Sequence, residues 1–355
     1  MSTTALERLT LELSTGRELS RPEIAEVVGV LLDDGTVDDA KAVFLTALAH
    51  RGETAGEIAG FALELRARAI DPQIDASRFG GVVLDVCGTG ADMAHTFNIS
   101  SCVMFVAAAA GVAVAKHGNR AITSKCGSAD VLAALGATIE LSAQAARRCL
   151  EETGVTFFFA PSYHPAFKKI APVRRLLAER KQRTVFNILG PLVNPAKPSH
   201  QIVGIFDRML VGRCAEVLRL MGLKRAMVVH GDGLDEFSTM GVNTVAELWG
   251  GRIEETLRDF RVPTSELRVM MVKPGELAGG DPSTNAQIVR EVLSGEDRGP
   301  RRDIVLLNAA AALVVSEAAS DFGQAWQRAA ESIDSGAALE KLVRFVDVSN
   351  RLERG

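Results

Sequence analysis

VVLDVCGTGADMAHTFNISS, residues 82–101, decides the fold. A short β-branched run meets a turn with glycines at 88 and 90, and Thr96 to Ser101 then lead into an alanine-rich segment. The order reads strand, tight turn, helix, the repeating unit of a parallel sheet covered by helices. Toward the C-terminus, VAVA (112–115), VTFFF (155–159), QIVGIF (201–206) and AMVVH (226–230) repeat that texture between helical, alanine-rich stretches. Such short, continuously apolar runs suit strands buried on both faces. Asn243 to Leu248 and Arg252 to Thr256, joined across Gly250-Gly251, read instead as a hairpin. From Asn285 onward the chain reads as helix, with apolar stripes over Ile304 to Ala319 and Phe322 to Ile333.

Toward the N-terminus the pattern is helical. Ser20 with Glu23 forms a capping-box signature with Pro22 in the first turn; Ile24, Val27, Val28, Leu31 and Leu32 follow at helical spacing, and Gly35 ends the run. Thr36 with Asp39 opens a second stripe that stops at Gly52, and Thr54 with Glu57 opens a third that stops at Asp71-Pro72. The expectation is an α/β protein: a small all-helical domain over residues 1–75, completed by a later helical segment near 165–190, and a larger domain over 76–355 with a mainly parallel sheet flanked by helices. A chain of 355 residues exceeds what one compact core usually covers, which agrees with two units.

Composition excludes several classes. Hydrophobic residues at 47% and charged residues at 24% belong to an ordinary globular protein, not to a disordered or fibrous one. A net charge of -4 gives no general basic surface for nucleic acid, so any anion site must be local. Cys87, Cys102, Cys126, Cys149 and Cys214 are odd in number, lack CxxC spacing and sit in apolar stretches, as reduced core thiols do. The start, MSTTALERLTLELSTG, lacks the continuous apolar core of a secretory signal. Val103 to Ala115, interrupted by Gly111, is too short to span a bilayer. The expected location is the cytoplasm.

Three loops at strand ends carry candidate chemistry. Cys87-Gly88-Thr89-Gly90-Ala91-Asp92 and the following polar cap place glycine backbone and a helix start where a phosphate would bind, although a glycine turn of this kind serves equally as a simple cap. Lys116-His117-Gly118-Asn119-Arg120, with Thr123, Ser124, Lys125, Gly127 and Ser128, gathers cations, hydroxyls and glycines after VAVA. Charge-assisted hydrogen bonds contribute roughly 1.5–3 kcal/mol each, enough together to offset the desolvation of a phosphorylated ligand. His230-Gly231-Asp232-Gly233-Leu234-Asp235-Glu236 offers paired carboxylates, hard oxygen ligands suited to magnesium shared with substrate phosphates. A fourth segment runs from Ala160 through Tyr163-His164-Pro165 and Arg174-Arg175 to Asn187-Ile188-Leu189-Gly190-Pro191-Leu192-Val193-Asn194-Pro195. Arg174 there could meet a carboxylate in bidentate fashion, although a surface helix arginine is the more common case.

GTGAD, TFNISS, KHGNRAITSKCGSADVL, HPAF, VRRLL, FNILGPLVNP and GDGLDE occur here in that order. Together they resemble the anthranilate phosphoribosyltransferases over nearly the whole chain. The resemblance implies the nucleoside phosphorylase/phosphoribosyltransferase fold class, a cleft between a helical and an α/β domain, and a homodimer formed through the helical domain. It implies transfer of the 5-phosphoribosyl group from phosphoribosyl pyrophosphate to the amine of anthranilate, with release of pyrophosphate, in tryptophan biosynthesis. By motif, Gly88, Ala91, Asp92, Thr96, Asn98, Ile99, Ser100, Ser101, Lys116, His117, Gly118, Asn119, Arg120, Thr123, Ser124 and Ser128 would hold phosphoribosyl pyrophosphate. Gly88, Asn119, His164 and Arg174 would meet anthranilate, and Ser100, Asp235 and Glu236 would bind Mg2+. No catalytic acid or base is implied: an aromatic amine is nucleophilic and uncharged at neutral pH, so positioning and charge neutralisation, chiefly by Lys116 and Arg174, would carry the reaction.

Three departures stand out. Ala91 occupies a position that is usually glycine, where a methyl group crowds the turn. Leu176 to Gln182 is longer than the usual spacing, which bears on the end of that helix and on access for anthranilate. Thr123 and Cys126 replace residues that are often serine. Pyrimidine nucleoside phosphorylases share the fold class, but their lysine-serine phosphate signature is missing here. A nucleic-acid-binding paralogue would be expected to have lost ligands in several loops and to be basic.

Overall fold

In a computed structural model, which describes residues 2–90, 92, 94–121, 125–261, 269, 272 and 275–354, the runs Leu84–Gly88 (β1), Val114–Gly118 (β2), Val155–Phe159 (β3), His200–Gly204 (β4) and Arg225–Gly231 (β5) pair in parallel in the order β3-β2-β1-β4-β5. Val242–Trp249 (β6) and Arg252–Arg261 (β7) extend the sheet antiparallel. Gly250 and Gly251 join them with φ of 55° and 77°, the left-handed pair that a two-residue hairpin matching strand twist requires. β1, β2 and β5 reach further into their motifs than the apolar runs suggested. Lys116, His117 and Gly118 pair with Phe157, Phe158 and Phe159, so these polar residues lie on the strand and not in the loop after it.

The sheet separates two cores, because alternate residues of a strand face opposite sides. Ile202, Met227 and Val229 face one core together with the helix Ile99–Ala109, which is sealed between the sheet and the late helix Pro300–Val315. Val203 and Val228 face the other core, with the crossover helix Val211–Leu220. Val103, Met104, Phe105 and Val106 of Ile99–Ala109 are buried, and Pro300–Val315 buries four consecutive alanines, Ala309 to Ala312, among its Ile, Val and Leu side chains.

Four helices, not three, open the chain: Ser2–Leu13 precedes Arg21–Leu31, Asp38–Arg51 and Ala55–Ala67. The first was not expected, yet it buries Leu6, Leu9 and Leu13. The capping box at Thr54 forms, with Thr54 N–H donating to Glu57 and Glu57 N–H donating to Thr54 Oγ1. The one anticipated at Thr36 does not. The helix begins at Asp38, and Thr36 Oγ1 donates to Asp33 instead. The helix Phe167–Glu179 packs on Asp38–Arg51, and its Ile170, Val173 and Leu177 join the core of the N-terminal helices. Full burial of each such side chain contributes roughly 1.5–3 kcal/mol. After Arg175 the helix runs to Glu179, Lys181 adopts φ 54°, and Gln182 N–H donates to Leu177 O.

Candidate active site

Since β1 to β5 run parallel, their carboxyl ends share one edge of the sheet, and the loops that leave that edge meet there. Two glycines permit the closest approach. A Cβ on Gly204 would coincide with the carbonyl of Asp235, and a Cβ on Gly88 would stand 2.8 Å from Cγ of Asp235. With both side chains absent, Thr89 N–H donates to Gly204 O at 2.9 Å and Gly90 N–H donates to Asp235 Oδ2 at 2.6 Å. The first glycine turn and the acidic loop are therefore bonded to each other.

The end of β2 and the loop after it join them. Lys116 is 2% exposed, and its ammonium donates to Val86 O and, at 3.1 Å, to Ser100 Oγ at the start of the helix Ile99–Ala109. Asn98 ties the same helix start to the second loop by donating to Cys126 O at 3.2 Å, and it accepts from Asn285 Nδ2 at 2.9 Å. Thr96 bridges to Ala278, close to that asparagine in sequence. Ser128 Oγ donates to Asn119 O at 3.4 Å, and Asn119 accepts from Arg120 N–H. Gly118 is hemmed in by Ser128 Oγ. Arg120 pairs with Asp130 at 3.0 Å, which also accepts from Gly127 and Ala121 N–H, so this arginine already balances a carboxylate. Ile99 and the side chain of Ser101 are buried, and the Ser101 hydroxyl has no partner among the described residues. Ala91, Thr123 and Ser124 lie outside the described residues.

The acidic loop is electrostatically loaded. Burial, with the Asp92 carboxylate beside it, raises the proton affinity of Asp235; burial and the adjacent Asp235 raise that of Glu236, against the pull of Lys116. Asp235 N–H also reaches Asp92 Oδ2 at 3.5 Å. Carboxylates crowded this way favour a divalent cation. Among the described residues, however, no three His, Cys, Asp or Glu side chains are assembled to hold a metal unaided. That donor set fits Mg2+, which keeps waters and takes much of its coordination from substrate phosphates.

On the other flank His117 and His164 pack edge to face with ring centroids 5.1 Å apart. Burial lowers both, to about 3 and about 4, and His117 bonds to the backbone of Gly190 and His164 to that of Val193. Their Nε2 atoms are buried without a partner among the described residues. They are neutral imidazoles tied to the GPLV segment. Arg174, on the helix Phe167–Glu179, lies 5.9 Å over the Phe186 ring; burial lowers its proton affinity, and no carboxylate pairs with it among the described residues. A guanidinium held this way has the planar donor fork that can pair with a carboxylate.

Residues outside the sequence motifs also shape this site. Asp85, fully buried beneath the turn, accepts from His117 N–H and from Gln201, and Gln201 in turn donates to Pro191 O. Gly204 ends β4 as Gly88 ends β1, a parallel that QIVGIF carries in the sequence without a polar run to mark it. Asn285 had no local signal.

A helical bundle beside an α/β unit whose strand-end loops converge defines a glycosyltransferase architecture. Residues 8–69 match the helical bundle domain of a glycosyl transferase family and residues 80–339 its a/b domain. The anthranilate phosphoribosyltransferase of Roseiflexus castenholzii is 46% identical over 341 residues, covering 96% of this chain and 97% of that one. The crystal structure of the anthranilate phosphoribosyltransferase from Thermus thermophilus superposes with a TM-score of 0.87 at 36% identity, over 98% of this chain and 99% of that one. The one from Saccharomyces cerevisiae in complex with PRPP and Mg gives 0.87 at 28% identity over 98% of each chain. This chain belongs to the anthranilate phosphoribosyltransferase family. No helix among the described residues is long and apolar enough to cross a membrane.

Proposed function

We infer that the chain transfers the 5-phosphoribosyl group of phosphoribosyl pyrophosphate to the amine of anthranilate, yielding N-(5-phosphoribosyl)anthranilate and pyrophosphate for tryptophan biosynthesis. The observation that carries this reading is the bond from Gly90 N–H to Asp235 Oδ2, with Lys116 reaching Ser100 beside it. Amides, an ammonium and acidic oxygens thus lie along one edge of the sheet. Breaking the bond between the anomeric carbon and pyrophosphate builds positive charge on the sugar and negative charge on the leaving group. The amides of the turn at Gly88 to Asp92, Asn98, the hydroxyls of Thr96, Ser100 and Ser128, and Lys116 hold the phosphates. Mg2+, carried by Asp235, Glu236 and Ser100, supplies neutralisation of the departing pyrophosphate. Arg174 binds the anthranilate carboxylate, and Asn119 and His164 border its ring. The amine attacks as the leaving group departs, and the resulting ammonium loses its proton to water. The neutral histidines give and take no proton.

Residues 1–75 with 165–190 form the helical unit, which carries Arg174 against a phosphoribosyl-binding unit over 76–355. Two copies pair through that helical unit, where Leu11, Val37 and Val43 stand exposed. The enzyme works in the cytoplasm on small substrates, without nucleic acid or membrane. Mixing pure protein with anthranilate, phosphoribosyl pyrophosphate and Mg2+ should extinguish anthranilate fluorescence; persistence of the signal with every component present would overturn the assignment.

A further inference from the structure

Asp235 and Glu236 repel each other and Asp92, so something other than their side chains must keep them adjacent before a cation arrives. On the N-terminal side, Gly231 and Leu234 exchange both backbone hydrogen bonds at 3.0 Å. On the C-terminal side the chain is gripped by two side-chain amides. Asn308, on the helix Pro300–Val315, accepts from Phe237 N–H at 2.9 Å and donates to Phe237 O at 2.9 Å. Asn243, on β6, accepts from Ser238 N–H at 2.7 Å and donates to Ser238 O at 2.8 Å. Each amide thus mimics a β-strand partner for one residue. The two grips come from different elements, a helix and a strand, and fall on consecutive residues. All four residues are buried, at 2% exposure or less. Asn308 also donates to Ile304 O, which uses up its donors and fixes its rotamer.

We propose that Asn308 and Asn243 are positioning residues for the acidic loop: they clamp the backbone of Phe237 and Ser238 so that the neighbouring carboxylates keep a cation-ready arrangement against their own repulsion. The proposal rests on Asp235 and Glu236 binding Mg2+. A buried polar residue on an apolar helix face is costly unless it is bonded, and Asn308 interrupts the run IVLLNAAAALVV where an apolar side chain would pack as well. Without the clamp, the loop relaxes outward, and binding the cation must first restore the arrangement.

The test is Mn2+ binding, followed by electron paramagnetic resonance, to the full chain in the presence of phosphoribosyl pyrophosphate. Asn308→Leu, which keeps volume and removes both bonds, should weaken Mn2+ binding about tenfold. The Mg2+ concentration for half-maximal activity should rise in parallel while the Michaelis constant for anthranilate holds, and saturating Mg2+ should restore turnover. Should that variant fold poorly, Asn308→Asp, which keeps the acceptor for Phe237 N–H and loses the donor, carries the same expectation. Unchanged Mn2+ affinity in a folded variant overturns the clamp. Failure of the unmodified protein to bind Mn2+ overturns the metal assignment instead.

Discussion

Gly88→Ala tests whether the first glycine turn and the acidic loop act as one unit. The added methyl would sit 2.8 Å from Cγ of Asp235 and nearer still to its Oδ2. Ordinary van der Waals separation then demands a retreat of the carboxylate by about 1 Å. The same oxygen accepts from Gly90 N–H at 2.6 Å, and a retreat of that size takes it past hydrogen-bond range. Losing one bond to a charged acceptor costs about 1.5–3 kcal/mol, which predicts a fall of roughly 10- to 150-fold in kcat/KM for phosphoribosyl pyrophosphate. The fluorescence assay at fixed anthranilate and varied phosphoribosyl pyrophosphate and Mg2+ measures it, with the thermal midpoint of the protein as a check on folding. A folded variant whose kcat/KM stays within about twofold of the parent would refute the reasoning.

Arg174→Ala should raise the Michaelis constant for anthranilate by roughly 10- to 150-fold, the loss of one charge-assisted pair, with little change for phosphoribosyl pyrophosphate; the opposite split would show that Arg174 serves the phosphates. Asp235→Asn with Glu236→Gln should abolish Mg2+-dependent turnover, and full activity in the double variant would reject the metal assignment. Because the proton affinities of Asp235 and Glu236 are raised, the ligand-free fold retains protons that the unfolded chain releases, so their contribution to stability is lost as the pH rises through the folded values. The thermal shift given by Mg2+ with phosphoribosyl pyrophosphate should therefore grow between about pH 5 and about pH 8, and a constant shift by scanning calorimetry would contradict it. His117 and His164 are held low, so the stability they contribute is present above the ordinary histidine range and is lost as the pH falls toward about 3 and about 4 respectively. His164→Asn should flatten that acid limb, which circular dichroism melts at about pH 6.5 and about pH 4 would report.

The strand-turn-helix reading of residues 82–101, the hairpin across Gly250-Gly251 and the helical tail were legible because each rests on local periodicity and turn chemistry. The three loops were legible because chemistry at strand ends is written in consecutive residues. That they share one site was expected from their common place at strand ends; strand order decides how they meet, with β1 between β2 and β4 and the loop after β5 folding Asp235 back onto Gly204 and Gly88. The helix Ser2–Leu13 carries no comparable local start and stop signal, and its apolar face gains meaning only against Asp38–Arg51. The sequence does not mark Lys116 and His117 as strand residues, because the pairing with Phe157 and Phe158 that buries them is non-local. Asn308, Asn243, Asn285 and Gly204 act through partners that only the folded backbone brings into reach, and it alone fixes which amide meets which carbonyl. Local sequence sets which elements form and which chemistry each loop carries; the packing of distant elements decides which of those chemistries face one another, because hydrogen bonds and charges act over a few ångströms of space and not along the chain.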